Sequence, residues 1–170
     1  MRRVNSLSRC VVAFALAWIS GAAGAADYPL IASPAPDFAL RGFAGDNIRL
    51  SEHRGEVIVL SFWSASCVVC KAQLAALNRS YGTYHSAGLQ VYGISIDDDQ
   101  SRARDYAGAH PLAFEMLADP GKSVGRLYQV DSLPMVVLID RSGMIRNVYH
   151  DFGSRNEALY LQQLRALLNE

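Results

Sequence analysis

Two cysteines three positions apart, Cys67 and Cys70, are the residues of this 170-residue chain best placed to do chemistry. They follow the apolar run Val57 to Phe62, read as a buried strand, and precede a helical pattern that runs to about His85. A sulfur where a strand becomes a helix faces unsatisfied backbone N–H groups and the positive end of the helix dipole, both of which favour a thiolate. Cysteines at this spacing can close a small disulfide ring and reopen it. Cys70, Leu74, Leu77 and Tyr81 recur at helical spacing, which puts Cys70 on the core-facing stripe and leaves Cys67 accessible. An exposed attacking sulfur and a protected resolving one are what thiol-disulfide exchange requires.

The elements that must position this pair can be read along the chain. Asp27 to Asp37, with three prolines, reads as an extended leading segment. Phe38–Leu40 and Asn47–Leu50 form a hairpin around the turn residues Gly42 to Asn47, and Ser51 to Gly55 forms one helical turn closed by glycine. Val57–Phe62, apolar on both faces, is a central strand covered on both sides. Leu89–Ile96 is a second strand. The following Asp97-Asp98-Asp99 precedes a helix over Ser101–Ala109, where acidic residues cap and complement the dipole; a metal reading is the weaker one, because hard-cation loops alternate oxygen ligands around a glycine turn. Phe114–Leu117 is a short strand, and Asp119-Pro120 supplies an N-cap and first-turn proline for a helix toward Tyr128. Met135–Asp140 and Ile145–Tyr149 flank Arg141-Ser142-Gly143 as a hairpin. Ser154 to Glu157 is a capping-box sequence opening a last helix with Leu161, Leu164 and Leu168 as its buried stripe. This order implies a mixed sheet with helices on its faces.

Residues 1–25 have the three-part layout of a secretory signal peptide: Arg2, Arg3 and Arg9, the apolar run Val11–Ile19, then small residues with Ala23-Gly24-Ala25 as a cleavage site. The apolar run is short for a membrane span, so uncleaved anchoring is the lesser alternative. A lipoprotein signal would need Cys10 after the apolar run, and here it stands before it. Cleavage leaves residues 26–170, 145 residues, as one domain with a real core. It removes Cys10 and takes the charge balance from 16 basic against 16 acidic residues to 13 against 16, a net charge near −3. No basic run suggests nucleic acid. In an oxidising exported compartment the pair would rest as a disulfide, but a ring spanning three positions removes too little chain entropy to serve as a staple.

Phe62-Trp63, the cysteine pair at a helix start, and Leu133-Pro134 before an apolar strand make the chain resemble the thioredoxin superfamily. The signal peptide, the N-terminal hairpin and the extra helix and strand before Pro134 make it most similar to the TlpA/ResA branch of exported thioredoxin-like proteins. That resemblance implies an α/β thioredoxin-like fold: a central mixed sheet with helices on both faces, an N-terminal hairpin and a central β/α insertion. It also implies that Pro134 is cis and lies against the cysteines, with Leu133 and Pro134 forming the docking edge for a client peptide. Five features depart from the pattern. Ser66 replaces the usual tryptophan, which leaves Trp63 as the aromatic docking contact. The spacer is Val68-Val69, Gln73 stands where ResA-like chains have glutamate, and Ser61 stands where classical thioredoxin has a buried aspartate. Ala75 replaces a common proline.

The implied activity is protein-disulfide reduction by a Cys67–Cys70 dithiol, without a cofactor or metal. The implied partners are client protein disulfides, for example in cytochrome c maturation or copper-site assembly, and a membrane thiol-electron donor of the DsbD/CcdA kind. A periplasmic or otherwise exported monomer is expected. Two alternatives stand beside it. A peroxiredoxin-like peroxidase is suggested by Gly93 to Asp97 and by Ser64 ahead of Cys67, against Leu60 where that motif has proline. A Cu(I)-carrying module would use the two soft thiolates, with His53, His85, His110 and His150 too scattered to assist.

Overall fold

A computed structural model describes residues 28–151 and 153–170. The expected signal peptide over residues 1–25, with Cys10 and the anchoring alternative, lies outside the described residues. In chain order the elements are β1 (Ala39–Gly42), β2 (Asn47–Arg49), a 3₁₀ turn (Leu50–His53), β3 (Val57–Trp63), α1 (Val68–Tyr84), a second 3₁₀ turn (His85–Ala87), β4 (Leu89–Ser95), α2 (Gln100–Ala109), β5 (Glu115–Ala118), α3 (Ser123–Leu127), β6 (Met135–Ile139), β7 (Ile145–Tyr149) and α4 (Ser154–Leu168).

The strands form one mixed sheet in the order β2-β1-β5-β4-β3-β6-β7. β3 runs parallel to β4, and β4 to β5, while β6 returns antiparallel beside β3. Every residue of β3 is buried, as its two-sided apolar run requires. Its alternation splits the core. Val57, Val59 and Trp63 pack with Cys70, Leu74 and Leu77 of α1, Ala103 of α2, and Tyr160, Leu164 and Leu167 of α4. Ile58, Leu60 and Phe62 face Val124 of α3, Tyr128, Leu50 and the leading segment at Ala35 and Phe38. The crossovers β3-α1-β4 and β4-α2-β5 step the same way across the sheet, so right-handedness puts α1 and α2 on one face. The expected hairpin and β/α insertion are both present.

Two helix starts differ from expectation. Asp119 is not the N-cap of α3: that position is Lys122, with a left-handed backbone at φ 52°. Asp119 instead reaches forward from a buried position, its carboxylate accepting Ser123 N–H at 2.9 Å and Gly125 N–H at 2.8 Å. The N-cap of α4 is Gly153, one residue before the expected Ser154, and the Glu157 carboxylate pairs with Arg79 of α1 at 3.2 Å. The buried stripe of α4 centres on Tyr160, Leu164 and Leu167, with Leu161 and Leu168 at its edge.

Candidate functional site

β3 ends at Trp63, and the chain crosses four residues before α1 begins at Val68. Cys67 keeps an extended backbone (φ −83°, ψ 104°) and is the N-cap of α1, its sulfur accepting the Cys70 N–H at 3.2 Å. Cys67 is partly exposed, whereas Cys70 is fully buried among Leu74, Leu77 and Trp63. The two are joined as a disulfide with Cα atoms 5.3 Å apart. Val68 and Val69 stand 77% and 60% exposed beside the sulfurs, so the spacer brings apolar surface and no charge. Lys71, the next cation along, lies over the Tyr106 ring at 5.1 Å. Thiolate stabilisation at Cys67 therefore falls to the helix N-terminus.

The loop ahead of Cys67 is held by a residue that sequence reasoning assigned elsewhere. Asp97 accepts the Ser64 hydroxyl, the Ala65 N–H and the Ser95 hydroxyl, each at 2.9 Å. Of the three adjacent aspartates, Asp99 caps α2 by accepting Ser101 N–H, which hydrogen bonding holds below the ordinary carboxyl pKa. Asp98 pairs with Lys122 at 3.0 Å. The signal for Asp97 was its place two residues beyond Ser95, at the end of the strand that runs parallel beside β3.

The Leu133-Pro134 peptide bond is cis. The register Phe62↔Met135 sets Pro134 next to the end of β3 from which the cysteine loop departs. Pro134 is buried and Leu133 half-buried, touching both core clusters. Trp63 requires a correction: it is fully buried and packs on Tyr106 with ring centroids 5.4 Å apart, so it offers no docking surface. The strand extends one residue beyond its expected end, and alternation turns the indole under α1 and α2. Ser61 and Gln73, the positions where a carboxylate was missed, are also buried, and among the described residues the Ser61 Oγ and both Gln73 amide atoms have no hydrogen-bond partner.

Residues 31–148 match the AhpC/TSA family. The chain belongs to that family. This AhpC/TSA chain is 29% identical over 118 residues to thiol-disulfide oxidoreductase ResA of Geobacillus kaustophilus, covering 69% of the chain and 68% of the relative. ResA of Oceanobacillus iheyensis is 25% identical over 144 residues, covering 82% and 72%. A crystal structure of a Chlorobium tepidum protein assigned as thiol:disulfide interchange protein DsbE superposes with a TM-score of 0.76 at 32% identity, covering 79% of this chain and 95% of that one. The protein is a thioredoxin-like thiol-disulfide oxidoreductase of the ResA and DsbE kind with a Cys-x-x-Cys site.

Proposed function

We propose that this oxidoreductase works in the reducing direction, with Cys67 as attacking and Cys70 as resolving sulfur. The observation that carries the assignment of the two sulfurs is the contrast between Cys67, partly exposed with its sulfur facing the helix N-terminus, and the fully buried Cys70; the reducing direction rests on the likeness to ResA. The Cys67 thiolate attacks one sulfur of a client disulfide and expels the other as a thiolate, which takes up a proton. Cys70 then attacks Cys67, releasing the second client thiolate and leaving the Cys67–Cys70 disulfide. Two electrons pass to the client.

Leu133 and the cis-Pro134 edge beside the cysteine loop would receive the client backbone. The chain would act after export with its signal peptide removed, re-reduced by a membrane thiol-electron transporter of the DsbD/CcdA kind. Apocytochrome c or a copper-site assembly protein would be clients. Titration against glutathione, together with the resting redox state in the exported compartment, tests this direction. A strongly reducing potential with a mostly reduced pool supports it; an oxidising potential with a disulfide-locked pool reverses it.

The AhpC/TSA match keeps a peroxidase reading in view. Against it, the Ser64 hydroxyl donates its one proton to Asp97 and has none left for a peroxide. Rapid peroxide consumption by the reduced protein would favour that reading. For Cu(I) carriage, no cluster of three or more His, Cys, Asp or Glu suited to a metal occurs among the described residues, leaving the two sulfurs alone as ligands. Stoichiometric Cu(I) retention against a chelator would be the evidence for it.

A further inference from the structure

We propose that Asp97 is a positioning residue for the exchange reaction, fixing through a directed chain of hydroxyls which donors the Cys67 sulfur meets. The direction of that chain follows from donor counting. A carboxylate only accepts, so the Ser64 hydroxyl must donate to Asp97 Oδ1 across 2.9 Å. Having one proton, Ser64 can then only accept in its 2.8 Å contact with Ser66 Oγ, so Ser66 is the donor there. The second lone pair of Ser64 Oγ takes the Ser66 N–H at 3.2 Å.

The remaining groups of the loop are committed the same way. Ala65 N–H goes to Asp97 Oδ2 at 2.9 Å, and Cys67 N–H goes to the Ser64 carbonyl at 3.0 Å. Ser64 is buried and Ser66 exposed, so the chain runs from the surface beside Cys67 inward to the carboxylate. Every one of these donors is committed to Ser64 or to Asp97, while the hydrogen bond that the Cys67 sulfur accepts comes from Cys70 N–H. Asp97 thus keeps the adjacent Ser66 hydroxyl from donating to Cys67. It leaves the helix N-terminus in charge of the thiolate and so restrains its acidity.

An amide at position 97 can donate to Ser64. Ser64 then donates to Ser66, and the Ser66 proton is released toward the neighbouring sulfur, where it stabilises the thiolate. The inference rests on Cys67 being the attacking sulfur but not on the direction of exchange, so it is read from thiol titration of the purified, reduced full chain, not from turnover. In Asp97→Asn, Cys67 should titrate roughly one pH unit lower, followed by thiolate absorbance and by the pH dependence of alkylation. Adding Ser66→Ala to Asp97→Asn should restore most of the original value. Ser64→Ala, which cuts the chain at its middle and carries the test should Asp97→Asn fold poorly, should lower the Cys67 titration in the same sense. A titration unmoved in Asp97→Asn and Ser64→Ala overturns the proposal. A fall that persists in full in the Asp97→Asn, Ser66→Ala double variant also overturns it, because that is the effect of lost charge alone.

Discussion

The Cys70 N–H points at the Cys67 sulfur across 3.2 Å. The resolving residue thereby supplies, through its backbone, a donor that holds the attacking sulfur, while its own side chain is sealed in the core. One turn of helix sets both roles.

Because the spacer adds no charge, it is open to tuning. Val68→Lys changes a side chain that is 77% exposed and places a cation at the helix N-terminus. The Cys67 thiol should titrate lower by roughly one pH unit and the couple should become more oxidising. Thiolate absorbance and glutathione titration measure the two effects, and an unchanged thiol would mean that charge in the spacer does not reach Cys67.

Asp119 is buried and satisfies three donors at the start of α3: Ser123 N–H, the Ser123 hydroxyl and Gly125 N–H. Asp119→Ala leaves the two backbone groups without an acceptor and should cost about 2 kcal/mol. The urea midpoint reports it, with an unchanged slope.

Ser61 lies fully buried in the central strand, its hydroxyl without a hydrogen-bond partner among the described residues. Ser61→Ala should leave stability unchanged or raise it by about 1 kcal/mol. A loss of similar size in thermal or urea unfolding would show that the hydroxyl holds a buried water.

Asp140 accepts from Ser142 N–H and Met144 N–H at 2.9 Å, from the Ser142 hydroxyl at 2.6 Å and from Arg146 at 3.0 Å. Burial opposes its ionisation, but these bonds outweigh it and hold the carboxyl below its ordinary 3.8. A depressed carboxylate contributes stability above its ordinary pKa and loses it as pH falls through the lower, folded value. At neutral pH, Asp140→Asn should therefore be less stable than wild type by about 1–2 kcal/mol. The gap should close in urea titrations run below 3.8.

Much of this was legible in the residues. The apolar run from Val57 and the helical phase of Cys70, Leu74 and Leu77 each act within one element, and the cis geometry at Pro134 was carried by the resemblance to the thioredoxin superfamily. What escaped depends on partners distant in sequence. Glu157 pairs with Arg79, 78 residues earlier. Asp97 reads locally as one of three capping carboxylates, and only the pairing of β3 with β4 brings it to Ser64. Trp63 was misplaced by one residue of strand: once Trp63 continues β3, alternation puts the ring in the core.

The division of labour between the two sulfurs is tested most directly by trapping. Reduced Cys70→Ala and Cys67→Ala proteins are mixed with an exported-protein extract, quenched with acid and alkylator, and resolved by mass spectrometry. Cys70→Ala should accumulate mixed disulfides through Cys67, and Cys67→Ala should form none above background. No adducts from Cys70→Ala while Cys67 remains alkylatable, or equal trapping through Cys70, would contradict the account.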